Sequence, residues 1–358
     1  MPLGKFPRGL MPHISGSKPP RAAKPPSKKR APAWLPVAAC TIILVIGFFA
    51  LPSLLAVDLS LSESVHPPQP QFTVTVDPAK KEIVVDPQVE AMLDTKPTTL
   101  TAAAGEAGNI FTWIAVAISN SSAYRQVAGA NTLFVTIQPG YRDEQVAAAI
   151  GKILGWKSAQ TKEFLRAADA RDPSLTDGHF SPGTYFLSVT DPDDVEAMLH
   201  ERFSEDVLSR YSTTTEEQVP VPDAMKVASL IEREAGSWDD MRLISGIIWN
   251  RIFAGMPLQI DATLQFAKAN ATTGKQGIWW PEVLPKDKYI RSAYNTYMHV
   301  GLPPGPIANP SIAAVIAALN PKKTDCLFYF HDSNGDFHCS KTYAQHVALL
   351  KKYYGQGK

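Results

Sequence analysis

Residues 226–234 read Lys-Val-Ala-Ser-Leu-Ile-Glu-Arg-Glu, an apolar helical stripe that ends in acidic side chains. Apolar side chains recur there at the spacing of one helical face, at Val227, Leu230 and Ile231. Glu234 falls on the same face, whereas Glu232 is rotated from it by about 200°, at about 100° per residue. The stretch therefore predicts a helix that carries one acid beside the core, Glu234. A solvated Glu-Arg-Glu surface at a helix end is the competing interpretation.

Several further segments follow this helix in a definite order. Residues 241–253 have apolar side chains at helical spacing and stop at Ala254-Gly255-Met256-Pro257. Residues 326–342 predict a β-hairpin around Asn334-Gly335. Between them stand Leu-Gln-Ile-Asp-Ala-Thr at 258–263, Ala-Tyr-Asn-Thr-Tyr at 293–297 and Gly-Leu-Pro-Pro-Gly-Pro-Ile-Ala-Asn-Pro at 301–310.

In this order and spacing the segments resemble the YceG-like family of endolytic murein transglycosylases, over about residues 131–350. The resemblance implies cleavage of peptidoglycan glycan strands between N-acetylmuramic acid and N-acetylglucosamine without water, leaving a 1,6-anhydro-muramyl end. The catalytic acid of the family is the second Glu of a Glu-x-Glu segment, here Glu234. One departure is Ile260-Asp261-Ala262, where the family usually has a small polar residue before the Asp and a Pro after it. The departure bears on Asp261 and not on Glu234.

This chemistry needs a proton donor at the glycosidic oxygen and stabilisation of an oxocarbenium-like transition state. A Glu in an apolar wall keeps its proton toward neutral pH, because burial disfavours the charged form. Glu234 is the predicted donor. A transglycosylase needs no second carboxylate as nucleophile, since the substrate's own C6 hydroxyl attacks the anomeric carbon. The ionised Glu234 can then take up the proton of that hydroxyl.

Four residues near the motifs are candidates for substrate binding or for support of the acid. Gln259 and Asp261 could bind sugar hydroxyls or orient Glu234. Asn295 and Tyr297 would face the same side of an extended segment and offer a polar and an aromatic contact to a sugar ring. For each of them, structural support is the competing interpretation.

The predicted hairpin carries two further candidates, His338 and Ser340, which share a face of its second strand. A purely structural role is the competing interpretation for His338. The spacing of the C-terminal Cys and His residues is not that of a zinc site, and no cofactor motif is present in the sequence. We therefore expect neither a metal ion nor a cofactor.

The two hairpin cysteines, Cys326 and Cys339, are expected to face an oxidising compartment, which suggests a bridge. A hairpin centred on Asn334-Gly335 pairs Cys339 with Phe330 and Cys326 with Tyr343, however. The thiols would then lie about 13 Å apart along the strands, beyond the reach of a disulfide. This register predicts two free thiols, and a register slip would change the geometry.

The N-terminal part of the chain is typical of a membrane anchor. Residues 1–33 hold eight Lys or Arg and eight Pro, and the first acidic residue is Asp58. Residues 34–57 are 24 uncharged residues, enough to span a bilayer of about 30 Å. A cleaved signal peptide is the alternative, but Leu54-Leu55-Ala56 fits its small-x-small cleavage site poorly. Without the tail the net charge falls from +1 to about −7, which gives nucleic-acid binding little support.

Residues 58–130 are predicted to be a linker followed by a region that is hard to read, in which Phe72 to Val76 alternates as a strand and 82–85 could pair with it. Residues 131–217 show a strand at Leu133 to Ile137 and helices at about 143–154 and 158–169. This order is similar to the LysM-like module of the family, which implies that the module holds glycan chains containing N-acetylglucosamine. Any small α+β module would show the same order.

The predicted fold class is therefore α+β. Ser181-Pro182-Gly183-Thr184-Tyr185 is expected to join the module to the catalytic domain. The predicted regions are 1–33, a cytoplasmic tail; 34–57, a transmembrane helix; 58–130, a linker and unassigned region; 131–217, a LysM-like module and connector; and 218–358, the catalytic domain with its glutamate-bearing helix.

Three functions are compatible with these features. The family resemblance favours a lytic transglycosylase anchored in the cell inner membrane by residues 34–57, with its catalytic domain in the periplasm and the cell-wall synthesis machinery as a partner. A muramidase that cleaves the same bond with water would need a second carboxylate, for which Asp261 is the candidate. A non-catalytic wall-binding scaffold would not need the acid at Glu234.

The charge pattern makes a testable prediction about topology. Because basic residues precede the apolar stretch and acidic residues begin after it, a reporter fused at residue 30 should be cytoplasmic and one fused at residue 358 should be outside. A periplasm-dependent reporter such as alkaline phosphatase should therefore be active only in the second fusion. Equal activities would contradict the assignment.

Overall fold

A computed structural model describes residues 69–94 and 133–355 apart from 275–276, with scattered residues between 38 and 50 and between 116 and 124. The predicted tail at 1–33 lies outside the described residues, and the predicted span at 34–57 lies largely outside them. In the described part of the chain, no helix is long and apolar enough to cross a membrane. The fold is mixed α+β and mostly helical, with three two-stranded antiparallel sheets among the described residues.

The first described segment belongs to the core of the C-terminal domain. Strand β1 (Val76–Asp77) pairs with β2 (Glu82–Ile83), and helix α1 (Pro87–Leu93) follows. The predicted pairing across Asp77-Pro78 is confirmed, although the strands are shorter than expected. Phe72, Val76 and Ile83 are buried in the same apolar cluster as Leu230. The two segments predicted as strands therefore contribute side chains to the core.

Two strands and two helices form the small module. They are β3 (Leu133–Ile137), α2 (Asp143–Leu154), α3 (Ser158–Arg171) and β4 (Gly183–Leu187). The predicted strand-helix-helix order is confirmed. Residues 181–185 do not merely connect two domains as expected, because 183–185 form part of β4 and pair with β3. A further helix, α4 (Pro192–Asp206), packs against α3.

The C-terminal domain is built around one helix, α6. In chain order the helices before its hairpin are α5 (Thr213–Gln218), α6 (Val221–Glu234), α7 (Trp238–Phe253), α8 (Asp261–Lys268) and α9 (Ile312–Leu319). Short turns at Leu208–Arg210, Ala269–Thr273 and Pro285–Tyr289 connect some of them. Helix α6 packs against α7, α8 and α9, and its Val227, Leu230 and Ile231 are fully buried. The predicted apolar stripe is therefore the centre of the core.

Asn309, at the end of the 301–310 motif, joins the module to the C-terminal domain. Its side chain accepts a hydrogen bond from Phe180 N (2.8 Å) and donates one to Asp143 Oδ1 (2.8 Å). Its backbone N–H donates to Tyr141 O at 2.7 Å. Asp143 also contacts His179 Nδ1; burial lowers the pKa of His179, but the hydrogen bond and charge of Asp143 raise it to about 9. A buried network that includes an ion pair therefore fixes the joint.

The C-terminal hairpin is formed by β5 (Phe328–His331) and β6 (Phe337–Ser340), and helix α10 (Tyr343–Tyr354) follows it. The prediction of two free thiols is wrong, because Cys326 and Cys339 form a disulfide. Cys339 lies opposite Tyr329 instead of Phe330. Cys326 precedes the strand, and the chain there does not continue the ladder, so the two Cα atoms lie 5.8 Å apart. The hairpin register therefore differs from the predicted one, and Cys326 does not extend the strand as the prediction assumed.

The disulfide should stabilise the folded chain against unfolding. A variant with Cys326→Ala and Cys339→Ala should lose about 2–4 kcal/mol of unfolding free energy, since the unfolded chain is no longer cross-linked. The measurement is urea unfolding of the oxidised proteins. Cys40→Ser, at an exposed free cysteine, is the matched control and should leave the midpoint unchanged. Alkylation of all three thiols in the native, unreduced wild type would contradict the assignment.

Candidate active site

Glu234 is the last residue of α6, at the point where the buried stripe reaches the surface of the domain. The helix ends there because Ala235 is extended, with φ −87° and ψ 141°. Glu234 is half-buried, and its Oε2 accepts a hydrogen bond of 2.9 Å from the hydroxyl of Tyr329 on β5. Glu234 therefore lies where α6 meets the hairpin, on the helical face predicted from the sequence.

Burial of the Glu234 carboxyl group raises its pKa above the ordinary value for a glutamate. The hydrogen bond from Tyr329 acts in the opposite direction, the negative charge of Asp261 adds to the rise, and the backbone N–H of Ala262 and the charge of Arg233 oppose it. Ala262 lies in the first turn of α8, so the carboxyl group is close to a helix N-terminus. The net result is an acid that keeps its proton to a higher pH than a solvated glutamate.

Glu232 lies on the other side of α6 and binds the start of α9. Its Oε2 accepts hydrogen bonds from the backbone N–H (2.9 Å) and the hydroxyl (2.6 Å) of Ser311, which is the N-cap residue of α9. This confirms that Glu232 and Glu234 do not form a carboxylate pair. Glu232 tethers α9 to α6, and the alternative of a solvated Glu-Arg-Glu surface is wrong.

Asp261 and Tyr297 form a second tyrosine–carboxylate contact close to the first. The hydroxyl of Tyr297 donates to Asp261 Oδ1 at 2.6 Å. Asp261 is exposed as the first residue of α8, and Tyr297 is half-buried. Since the charge of Asp261 acts on Glu234, the two pairs belong to one site. Both side chains are accessible for contact with a ligand.

Asn295 has a supporting role in this structure. It is fully buried, and its amide nitrogen donates to Lys288 O (3.0 Å) and Ile290 O (2.8 Å). Its Oδ1 accepts from the backbone N–H of Tyr297 at 2.9 Å. The segment is a series of turns, so the expectation that Asn295 and Tyr297 share a face of an extended chain is wrong. Asn295 instead shapes the loop that presents Tyr297.

Gln259 is exposed and adopts a left-handed backbone conformation with φ 56°. Its backbone N–H donates to Thr296 O at 3.0 Å, and the next N–H, of Ile260, donates to Thr296 Oγ1 at 3.0 Å. These bonds tie the start of α8 to the loop that bears Tyr297. The buried Thr296 could not be identified from the sequence, because a threonine in a polar loop has no distinctive spacing.

His338 and Ser340 are engaged within the hairpin. His338 Nε2 lies 2.9 Å from Asp332 Oδ2, and its ring packs on Phe330 and Tyr353. Ser340 is buried. The contacts of His338 favour the structural interpretation, since Phe330 lies on the opposite strand face from Tyr329. Within the described residues, no cluster of three or more His, Cys, Asp or Glu side chains is arranged to hold a metal ion.

Tyr329 is the site residue that sequence reasoning missed. It lies in the hairpin segment used to identify the family, but a tyrosine in an aromatic strand is more commonly a packing residue. The signal that could have found it is strand alternation, which places Tyr329 and His331 on one face and Phe328 and Phe330 on the other. The register of the hairpin was needed to show which face meets α6.

The chain is similar to proteins of one family. The sequence model of the YceG-like family matches residues 112–352. A Bacillus subtilis protein named endolytic murein transglycosylase is 36% identical over 241 residues, which cover 61% of this chain and 64% of that protein. A Streptococcus pneumoniae protein of the same name is 29% identical over 226 residues, covering 55% of this chain and 40% of that protein. The matched region thus spans about half the length of these relatives.

A crystal structure described as YceG-like, from Listeria monocytogenes, superposes on this chain with a TM-score of 0.53 at 24% sequence identity. The superposition covers 63% of this chain and 81% of that one. It shows that the two proteins share a fold.

The environment of Glu234 makes a prediction about its titration. Carboxyl ¹³C NMR of the full chain should show a Glu234 midpoint above the ordinary value, because burial disfavours the charged form. Asp261→Asn should lower that midpoint, since it removes a nearby negative charge. Asp223→Asn, at the opposite end of α6, is the control and should leave it unchanged. A midpoint that does not respond to Asp261→Asn would show that the two carboxyl groups do not interact.

Proposed function

The chain belongs to the YceG-like family, and we propose that it is an endolytic murein transglycosylase. The observation that carries the proposal is Glu234, a half-buried acid with a raised pKa at the end of a helix whose apolar face is fully buried. Its position matches the catalytic acid implied by the family resemblance. The proposed substrate is the glycan strand of peptidoglycan, cut internally between N-acetylmuramic acid and N-acetylglucosamine.

The reaction uses Glu234 twice. In the first step its proton passes to the glycosidic oxygen, the bond from that oxygen to the anomeric carbon of N-acetylmuramic acid breaks, and positive charge develops on the sugar ring. In the second step the C6 hydroxyl of the same sugar attacks the anomeric carbon, and its proton passes to the Glu234 carboxylate. The product is a 1,6-anhydro-muramyl end, and the enzyme returns to its protonated state without consuming water.

Asp261 and Tyr297 are the proposed substrate contacts beside the acid. Asp261 is exposed and Tyr297 is half-buried, so a sugar can contact both side chains together. Their mutual hydrogen bond of 2.6 Å fixes both groups before substrate arrives. Such fixed donors and acceptors reduce the ordering that binding requires. Gln259 lies in the segment that is hydrogen-bonded to the loop bearing Tyr297. It is exposed and offers a further hydrogen-bonding group.

The LysM-like module is proposed to hold the glycan strand near the acid. Its β3-α2-α3-β4 arrangement supports this proposal at the level of topology. Its attachment through Asn309 supports it further, because a module rigidly joined to the catalytic domain presents a bound strand in one orientation.

The proposed location is the cell inner membrane, with a single span at 34–57, the N-terminus in the cytoplasm and the catalytic domain in the periplasm. Two features support it: the charge asymmetry around residues 34–57 and the disulfide between Cys326 and Cys339, because disulfides persist mainly outside the cytosol. Termination or trimming of nascent strands, with the wall-synthesis machinery as a partner, is the cellular role that fits this location.

A muramidase is the second candidate, and it is favoured by the nearness of Asp261 to Glu234. The charge of Asp261 acts on Glu234, so a second carboxylate is available to the site. One oxygen of Asp261 is already taken up by the hydroxyl of Tyr297, which favours a binding role over nucleophilic attack. The products of the two reactions differ, and they decide between the candidates.

The proposal predicts the products formed from uncrosslinked glycan strands. The full chain should make internal cuts that end in 1,6-anhydro-muramyl sugars, identified by mass spectrometry. Glu234→Gln should lower the rate by at least about 10²- to 10⁴-fold, since it keeps the shape but removes the transferable proton. Asp261→Asn should keep measurable activity.

Glu232→Gln is the matched control, because it makes the same chemical change two residues away on the face that caps α9. It should be much milder than Glu234→Gln, as an amide oxygen can still accept from Ser311. Reducing muramyl ends that incorporate solvent ¹⁸O, together with an inactive Asp261→Asn variant, would establish the muramidase instead. Equal loss in the two glutamate variants would refute the assignment of the acid.

A further inference from the structure

We propose that Tyr329 is a positioning residue for the reaction: its hydroxyl holds Oε2 of Glu234, so that the transferable proton is carried by the other carboxyl oxygen. The inference rests on the proposed function, because it concerns the acid of that reaction. It adds a second protein group to the proton transfer, one that acts on Glu234 without touching the substrate.

The contact has the geometry of a hydrogen bond to a carboxyl group. The Tyr329 hydroxyl lies 2.9 Å from Oε2, within the usual range for such a bond. In a neutral carboxyl group the carbonyl oxygen is a better acceptor than the O–H oxygen, so donation from Tyr329 to Oε2 favours the form in which Oε1 carries the acidic proton. The bond therefore selects one of two otherwise equivalent oxygens as the donor, which fixes the direction in which the proton leaves.

Tyr329 is held in place independently of Glu234. Its ring stacks on Phe337 across the hairpin, with centroids 5.8 Å apart and planes at 18°. Cys339 lies directly opposite Tyr329 in the ladder and is bonded to Cys326. The disulfide therefore cross-links the hairpin close to the ring of Tyr329.

Helix α7 fixes the same end of the strand. Arg251 Nε donates to Leu327 O at 2.6 Å, and Asn250 Nδ2 donates to Thr324 O at 2.7 Å and to Cys326 O at 3.1 Å. Arg251 is itself buried. A tyrosine on a strand anchored in this way can orient a carboxyl group, because it does not have to be ordered by the contact.

The surroundings of Tyr329 keep its hydroxyl protonated, so that it can donate to Glu234 in both steps of the reaction. Burial first, and then the charge of Glu234, raise the pKa of Tyr329 well above its ordinary value, against the opposing charge of Arg251. The hydroxyl therefore keeps its proton at neutral pH. The other groups facing Glu234 are Asp261, whose charge raises the pKa of Glu234, and Arg233, whose charge lowers it. The charge of Glu234 also acts on Tyr297.

The hydrogen bond is of most use after the proton has left. A hydrogen bond to an ionised acceptor contributes more than one to a neutral acceptor, so the Tyr329 contact strengthens as Glu234 becomes a carboxylate. It thereby stabilises the state that must next accept the proton of the C6 hydroxyl. A group that only packed the site would not favour the charged form in this way.

Tyr329→Phe tests the inference, because it removes the hydroxyl and keeps the ring that stacks on Phe337. With the full chain and uncrosslinked glycan strands, kcat should fall about 10- to 100-fold, as expected for a lost bond to a charged group, with KM within about twofold of wild type. The pKa of Glu234 should rise, since the bond lowers it. The limb of the pH profile on which activity falls with increasing pH should therefore move to higher pH.

Tyr343→Phe is the matched control, since Tyr343 is an exposed tyrosine at the start of α10 that packs on Phe328, on the outer face of the hairpin. It should leave kcat and the pH profile unchanged. A wild-type kcat in Tyr329→Phe, or a lower kcat without movement of the limb, would overturn the inference. If the wild type makes no anhydro ends, the proposed function fails instead. NMR titration of Glu234 then decides the contact, and an unmoved midpoint in Tyr329→Phe overturns it.

Discussion

The removal of the Glu234 carboxyl group from water is the constraint on which the site depends. A carboxylate is destabilised when it is buried, and the penalty falls on the charged form alone. The chain sets this penalty by placing Glu234 at the end of a helix whose other inward side chains are fully buried. Tyr329 and the start of α8 then limit the penalty. The balance leaves a group that can release a proton and take one back, which neither a solvated nor an isolated buried glutamate does well.

Helix α6 also separates the proposed acid from a glutamate with a structural role. Glu234 faces the hairpin and α8, whereas Glu232 faces Ser311 at the start of α9. Ser229, on the same helix, accepts a hydrogen bond from Ile307 N at 3.0 Å. The 301–310 motif is therefore attached to α6 through Ile307, and the residue that follows it, Ser311, makes a second attachment through Glu232. The last residues of the motif also form the joint with the module. This explains why motifs distant in sequence occur together: they are parts of one assembly around a single helix.

Elements determined by local pattern could be predicted from the sequence. The stripe of α6, the divergence of Glu232 from Glu234, and the two helices after β3 follow from helical periodicity. The failures concern relations between segments. The hairpin register depends on the turn, in which Asp332 Oδ1 accepts hydrogen bonds from the N–H groups of Asn334 and Asp336. A shift of one position moves every side chain of the strand to the opposite face.

The same limitation explains the candidate residues whose roles differ from expectation. In the sequence, Asn295 is a polar residue close to an aromatic one. Only the fold shows that its amide nitrogen donates hydrogen bonds to Lys288 O and Ile290 O. Tyr329 could not be assigned before the strand face was known. In both cases the deciding partner lies in another part of the chain or depends on a turn that periodicity does not describe.

The joint at the 301–310 motif leaves no room for an added side chain at Gly305. A Cβ atom there would lie 1.9 Å from Thr176 Oγ1 of the module, and Thr176 in turn is hydrogen-bonded to Tyr294 at 2.6 Å. Since the same motif is bonded to Ser229 of α6, a side chain added at Gly305 would have to displace Thr176 or move the motif away from the module, and the second change would disturb the contact with the helix that carries Glu234.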